Sequence, residues 1–169
     1  NTLRELLNEA PEPLKFLDLK LRKNCYNRAI IESSLRSANI LRVKENELYT
    51  LKNELDLFEF ESKGISAELI NEYNLDIVLV TRGKDGAFAL DKEGNYFEDR
   101  GYEIKFVDTV GSGVAFSAGF LHYFLAGEGV EAALQFANAA GALTAATAGA
   151  TTPVSKRQIL ELMKKGKRR

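Results

Sequence analysis

Val107-Asp108-Thr109-Val110-Gly111-Ser112-Gly113-Val114-Ala115-Phe116 is the stretch on which the reading of this chain turns. A strand-like segment ends in a Gly-Ser-Gly turn, and an apolar helix begins at once. Phe116, Phe120 and Phe124 recur at i, i+4 spacing and so share one helix face. A helix start leaves backbone N–H groups unpaired and carries partial positive charge. Glycines let the backbone come close to a ligand. Gly111, Ser112 and Gly113 are therefore a candidate seat for a phosphate-sized anion. The same pattern also suits a tight strand-to-helix turn with no ligand, and the local residues leave both readings open.

Working outward, Asp76 to Thr81 (DIVLVT) is a continuous apolar run of the kind found in a buried sheet. Gly83 and Gly86 punctuate a turn, Ala87 to Leu90 continues as a strand, and Glu93-Gly94-Asn95 predicts a hairpin turn. Leu14 to Leu19, Ala38 to Val43 and Tyr102 to Val107 also read as strands. Helices are predicted over 2–10, 28–36, 45–51, 112–126, 130–148 and 155–165, and over 66–73 with Ser66 as N-cap. This alternation predicts an α/β sheet layered with helices and finishing in a helical run.

Composition narrows the partners. The formal net charge is −1, which offers no global attraction to nucleic acid or to a membrane surface. The basic end, Lys164 to Arg169, is expected to be a solvated tail. No apolar run approaches the ~20 residues that a membrane span needs. Cys25 is the one cysteine, so no internal disulfide forms, and a cytoplasmic setting is expected. Met163 is the one methionine and the chain opens at Asn1, so a longer translated protein is expected.

The stretch around Asp108 resembles the second signature of ribokinase-like (PfkB-type) carbohydrate kinases, Asp-Thr-x-Gly-Ala-Gly-Asp-x-Phe. Asp108, Thr109, Gly111, Gly113 and Phe116 match, and Ser112 replaces an alanine. Other segments resemble the family in the same order. They are Asp18 to Arg22, Ala38 to Leu48, Thr81-Arg82-Gly83-Lys84-Asp85-Gly86, Phe136-Ala137-Asn138-Ala139-Ala140, and Gly149-Ala150. The resemblance implies a three-layer α/β/α ribokinase-like fold with a mostly parallel central sheet. Residues 1–169 would be its C-terminal, nucleotide-binding portion, without the N-terminal half and its β-lid. It implies phosphoryl transfer from ATP to a fructose- or ribose-like sugar hydroxyl, with Mg2+ and potassium as further cofactors. The run Asp18 to Asn24 leans towards the fructokinase branch. A homodimer through the lid is implied for the full-length protein.

Carried over residue by residue, the resemblance makes Gly111, Ser112 and Gly113 an anion hole and Val114 the position of the general base. Thr81, Gly83, Gly86, Gly113 and Asn138 become nucleotide contacts. Lys44 and Glu47 fall near magnesium and phosphate, and Asp108, Val110 and Gly149 near a monovalent cation. Three polar positions depart from the pattern: Val114 stands for aspartate, and Lys20 and Lys44 for asparagine. A valine cannot accept a proton, and a lost general base costs roughly 10²- to 10⁴-fold in rate. The alternative reading is therefore a catalytically dead nucleotide-binding relative with a regulatory or structural role. Arg22 suits a phosphate contact or an ion pair equally. His122 is read as a packing or surface residue, and Cys25 as no nucleophile.

Overall fold

The structure is a computed structural model that describes residues 5–6, 13–149 and 152–169. The helix predicted over 2–10 falls almost wholly outside them, as does Ala150. Five strands form one sheet in the order β1-β2-β3-β4-β5: β1 (Phe16–Asp18), β2 (Ile40–Lys44), β3 (Ile77–Thr81), β4 (Ala87–Asp91) and β5 (Tyr96–Asp99). The α/β class is as expected, and the sheet is mixed. β1 runs parallel to β2, with Asp18 beside Arg42. The β3–β4 pairing is antiparallel, since Arg82 N–H donates to Gly86 O at 2.8 Å and Lys92 N–H to Asp76 O at 2.9 Å.

Two compact units share this chain: Asn1–Leu79 with Leu90–Asn95, and Val80–Ala89 with Tyr96–Arg169. In the first, α1 (Arg28–Arg36), α2 (Glu45–Leu55) and α3 (Ser62–Tyr73) accompany β1 to β3. The side chain of Asn27 accepts from Ile30 N–H and caps α1, whose Ile31 and Leu35 are buried. β2 and β3 bury nearly every side chain, which explains their unbroken apolar sequence. Asp56 and Asn74 end α2 and α3 in the left-handed conformation that short polar side chains tolerate.

Ser66 is not an N-cap. α3 begins a full turn earlier, and Ser66 is buried with its hydroxyl donating to Ser62 O at 2.7 Å. Ile65, Leu69, Ile70 and Tyr73 extend one apolar face back through that turn. Glu68 reaches out of the helix and accepts from Phe58 and Glu59 N–H at 3.0 and 3.1 Å.

The second unit holds Ala87–Ala89 of β4, β5 and three helices: α4 (Ser112–Leu125), α5 (Gly129–Ala145) and α6 (Lys156–Lys165). Phe116 and Phe120 are buried on α4, and Phe124 stacks on Phe120. Gly119 admits α5 closely: a Cβ there would lie 3.1 Å from the Ala137 Cα. Ser155 caps α6, with Gln158 bonding back to it.

Two expectations fail here. The segment 102–107 is no strand. Its N–H groups go instead to two separate places, Glu103 to Lys167 O at 2.8 Å and Val107 to Ala145 O at 2.9 Å. The basic end is no solvated tail: Tyr102 and Arg168 form an antiparallel bridge, and Arg169 N–H donates to Gly101 O at 2.8 Å. Among the described residues no helix is long and apolar enough to cross a membrane.

Candidate functional site

The start of α4 is built by one carboxylate. Asp108 accepts from Val110 N–H through Oδ1 at 2.9 Å and from Gly149 N–H through Oδ2 at 3.3 Å. The loop before α4 and the loop after α5 are thereby held together, and Asp108, Val110 and Gly149 are neighbours. Gly111 then turns the chain into the helix at φ +85°, a conformation that disfavours side chains. The hydroxyl of Ser112 donates to Thr109 O at 2.8 Å and so is engaged in closing the turn. Gly113 and Val114 lie in the first helical turn, where N–H groups have no partner within the helix. Together with the helix dipole, this end can receive an anion.

Val114 is 56% exposed, and Val110 beside the turn is 61% exposed. A cleft of about 430 Å³ opens at this helix end, between α4, α5 and the start of α6. Gly111, Val114 and Ala115 line it together with Phe136 and Ala140. Its titratable lining side chains are His122 and Lys156, and no carboxylate lines it among the described residues. The side chain at position 114 is an exposed valine, and the cleft beside it is lined by no Asp or Glu among the described residues. His122 is exposed on α4 beside the rings of Tyr123 and Phe136, as expected of a surface residue.

The turn after β3 is closed by the Arg82–Gly86 hydrogen bond, with Gly83–Asp85 forming a single 3-10 turn. Its two glycines serve different purposes. Gly83 has φ +60° and open space around it. Gly86 has φ +92°, and a Cβ there would lie 2.1 Å from Asp99 O, so this backbone packs directly on the end of β5. Asn138 meets the same segment from α5. It is buried, and its amide donates to Asp99 Oδ2 at 2.5 Å, Arg100 O at 3.0 Å and Asp99 O at 3.3 Å. The amide nitrogen is fully engaged within the protein.

In the first unit, Glu47 accepts from Lys44 N–H at 3.2 Å and from Leu21 N–H at 3.1 Å. It caps α2 and ties down the loop after β1. Lys44 is exposed at the head of α2, and Lys20 is exposed on that loop. Asp18 accepts from Arg42 Nη1 at 3.0 Å, and the Arg42 side chain is only 2% exposed. Among the described residues, no group of three or more His, Cys, Asp or Glu side chains could hold a metal ion. Each Glu47 oxygen accepts one N–H and keeps a further lone pair, and Lys44 is cationic, so these two residues alone do not make a magnesium cage. Magnesium is commonly held largely by substrate phosphates and water, with one or two carboxylates.

Three residues here went unnoticed in the sequence reading: Arg42, Asp99 and Arg168. Arg42 carried a signal, being a charge within the apolar run of β2. Asp99 and Arg168 carried none, since 69 residues separate them.

The structure of this chain is similar to that of an Escherichia coli protein provisionally termed ribokinase II, solved in complex with ATP and Mg2+. The TM-score is 0.83 at 22% identity, covering 96% of this chain and 53% of that one, which establishes the fold. An ATP-dependent ribose-1-phosphate kinase of Halopiger xanaduensis is 38% identical over 117 residues, 69% of this chain and 36% of the relative. A 2-dehydro-3-deoxygalactonokinase of Haloferax volcanii is 30% identical over 171 residues, 98% of this chain and 52% of the relative. The chain thus spans about half, or less, of the length of these relatives. The model of the pfkB family of carbohydrate kinases matches residues 15–157. This chain belongs to the pfkB family of carbohydrate kinases.

Proposed function

We propose that residues 1–169 are the nucleotide-binding portion of a single ribokinase-like domain in an ATP-dependent sugar kinase. The observation that carries this is the Asp108 clamp, which delivers Gly111 into the open N-terminus of α4. Bound ATP supplies the phosphoryl group. The first-turn N–H groups of Gly113 and Val114, with the helix dipole, stabilise the charge on its oxygens, and phosphoryl transfer depends mainly on such positioning and stabilisation. Thr81 and Gly83 line the nucleotide, while Gly86 and Asn138 support it through the end of β5. Lys44 offers a point charge to a phosphate oxygen, and Glu47 holds the loop that carries Lys20. A potassium ion near Asp108, Val110 and Gly149 is part of the same proposal, as is dimerisation of the full-length protein.

The acceptor is a sugar hydroxyl. The Asp18 to Asn24 run supports a fructose-like substrate, and the named relatives widen the field to ribose 1-phosphate and deoxy sugar acids. Val114 leaves the reaction without a carboxylate base at this position, so turnover is slow. A second reading, a nucleotide-binding relative without activity, is favoured by the same residue and by the carboxylate-free cleft. One experiment separates them. The full-length protein is titrated with an ATP analogue and then assayed for ADP release against hexoses, pentoses, sugar phosphates and sugar acids. Binding with slow turnover supports the kinase, and binding with none supports the inactive relative. Failure to bind refutes both.

A further inference from the structure

We infer that Arg168 is a positioning residue of the nucleotide site proposed above, acting through the end of β5. The segment Asp99–Gly101 is a shared wall. The Gly83–Gly86 turn rests on one side of it: a Cβ on Gly101 would lie 1.8 Å from Lys84 O, and one on Gly86 2.1 Å from Asp99 O. Such contact means that any shift of the wall shifts the turn. Asn138 of α5 grips the same segment through three acceptors.

Arg168 holds the wall from the far end of the chain. Its Nη1 donates to Asp99 Oδ2 at 2.7 Å and to Arg100 O at 3.0 Å, and its guanidinium lies 3.8 Å from the Tyr102 ring centre. The Asp99 side chain is 8% exposed and that of Arg168 32%, so the carboxylate partner is shielded from water and the pair is screened less than a fully exposed one. The main chain reinforces the hold on both sides, through Glu103 N–H to Lys167 O and Arg169 N–H to Gly101 O. Segment 167–169 is thus a strap across the wall. A guanidinium suits the task, because its planar group lies over the ring while one of its nitrogens donates to both a carboxylate and a carbonyl, and it is more weakly hydrated than an ammonium. The strap's polar contacts among the described residues are with 99–103 and not with the turn, so its effect on a nucleotide passes through residues 99–101.

This inference rests on the nucleotide reading, and its test keeps the two apart. In the full-length protein, Arg168→Ala, Arg168→Lys and, as a control for surface charge, Arg157→Ala are compared with the unaltered chain. Hydrogen exchange of peptides spanning 82–86 and affinity for an ATP analogue are measured under conditions where all four are folded. Arg168→Ala is expected to speed exchange in 82–86 and to weaken the analogue, each on the order of tenfold. Arg168→Lys should fall between, and Arg157→Ala should match the unaltered chain. A lowered melting temperature with unchanged exchange in 82–86 overturns the inference and makes Arg168 merely stabilising. Faster exchange with unchanged affinity overturns it as well. If the unaltered chain does not bind the analogue, the nucleotide reading fails, while the coupling of strap to turn is still decided by the exchange.

Discussion

Val114→Asp is the substitution that bears most directly on the chemistry. Val114 is the third residue of α4 and 56% exposed, so an aspartate there meets no packed core. Full burial of a valine side chain is worth about 1.5–3 kcal/mol, and less than half of this one is buried. The loss of apolar contact is therefore about 1 kcal/mol. Against it, a carboxylate in the first turn of a helix gains about 0.3–1 kcal/mol from the helix dipole. The two nearly cancel, and the melting temperature should move by no more than about 2–4 °C. The dipole favours the charged form, so the new carboxyl titrates below its unfolded value. Its stabilisation is present above about pH 4 and is lost as pH falls through the folded pKa. A restored general base is worth roughly 10²- to 10⁴-fold in turnover. ADP release by the full-length protein, with a saturating acceptor from the panel above, measures it at neutral pH. A folded variant that binds the ATP analogue as before, yet gains no turnover on any acceptor, refutes the assignment of position 114 to the base.

Three further outcomes follow from the packing. Gly86→Ala should destabilise by about 2–4 kcal/mol, combining a left-handed backbone with a collision against Asp99 O, whereas Gly83→Ala should cost about 1–2 kcal/mol because its surroundings are open; denaturant melts of both variants give the contrast. Glu47→Ala should cost about 1–2 kcal/mol in the same assay by orphaning the Lys44 and Leu21 N–H groups, and Glu47→Gln should recover most of it because an amide oxygen still accepts. Burial pushes the Tyr102 hydroxyl up to about 12, against the opposing pull of the neighbouring Arg168 cation. The folded state therefore holds this proton more tightly than the unfolded state, so its contribution is complete below pH ~10 and lost as pH rises towards about 12. Tyr102→Phe should flatten the alkaline fall in stability, leaving the part due to Tyr73, whose hydroxyl burial also raises to about 12.

The elements most legible in the sequence were those whose burial is uniform or strictly periodic. β3 is apolar along its length, and the Phe116–Phe120–Phe124 face marks α4. The helix at Arg28–Arg36 was predicted at its observed limits because Asn27 caps it and Ile31 and Leu35 face inward. The start of α3 and the strand β5 were missed. Ser66 has the chemistry of a cap, but the apolar face runs a turn further back and carries the helix with it. In β5, Tyr96 and Glu98 are exposed, Phe97 is half-buried and Asp99 is buried, so its inward end is a carboxylate rather than a hydrophobe.

The glycine turn at Gly111–Gly113 and the valine at position 114 were legible from residue identities, because each is read from its immediate neighbours along the chain, and the order of the family's segments is a property of the sequence itself. What only the folded chain decides is which polar atoms remain free. Asn138 has the side chain of a ligand contact, yet its amide nitrogen is engaged by Asp99 and Arg100, 39 and 38 residues away. Glu47 has the side chain of a metal ligand, and the fold also sets it to cap α2 and to hold Leu21. The terminal basic run has the composition of a solvated tail, yet Arg168 finds Asp99 and stays. A hydrogen bond requires a partner within about 3 Å in space, and distance along the chain does not say which residue will be there.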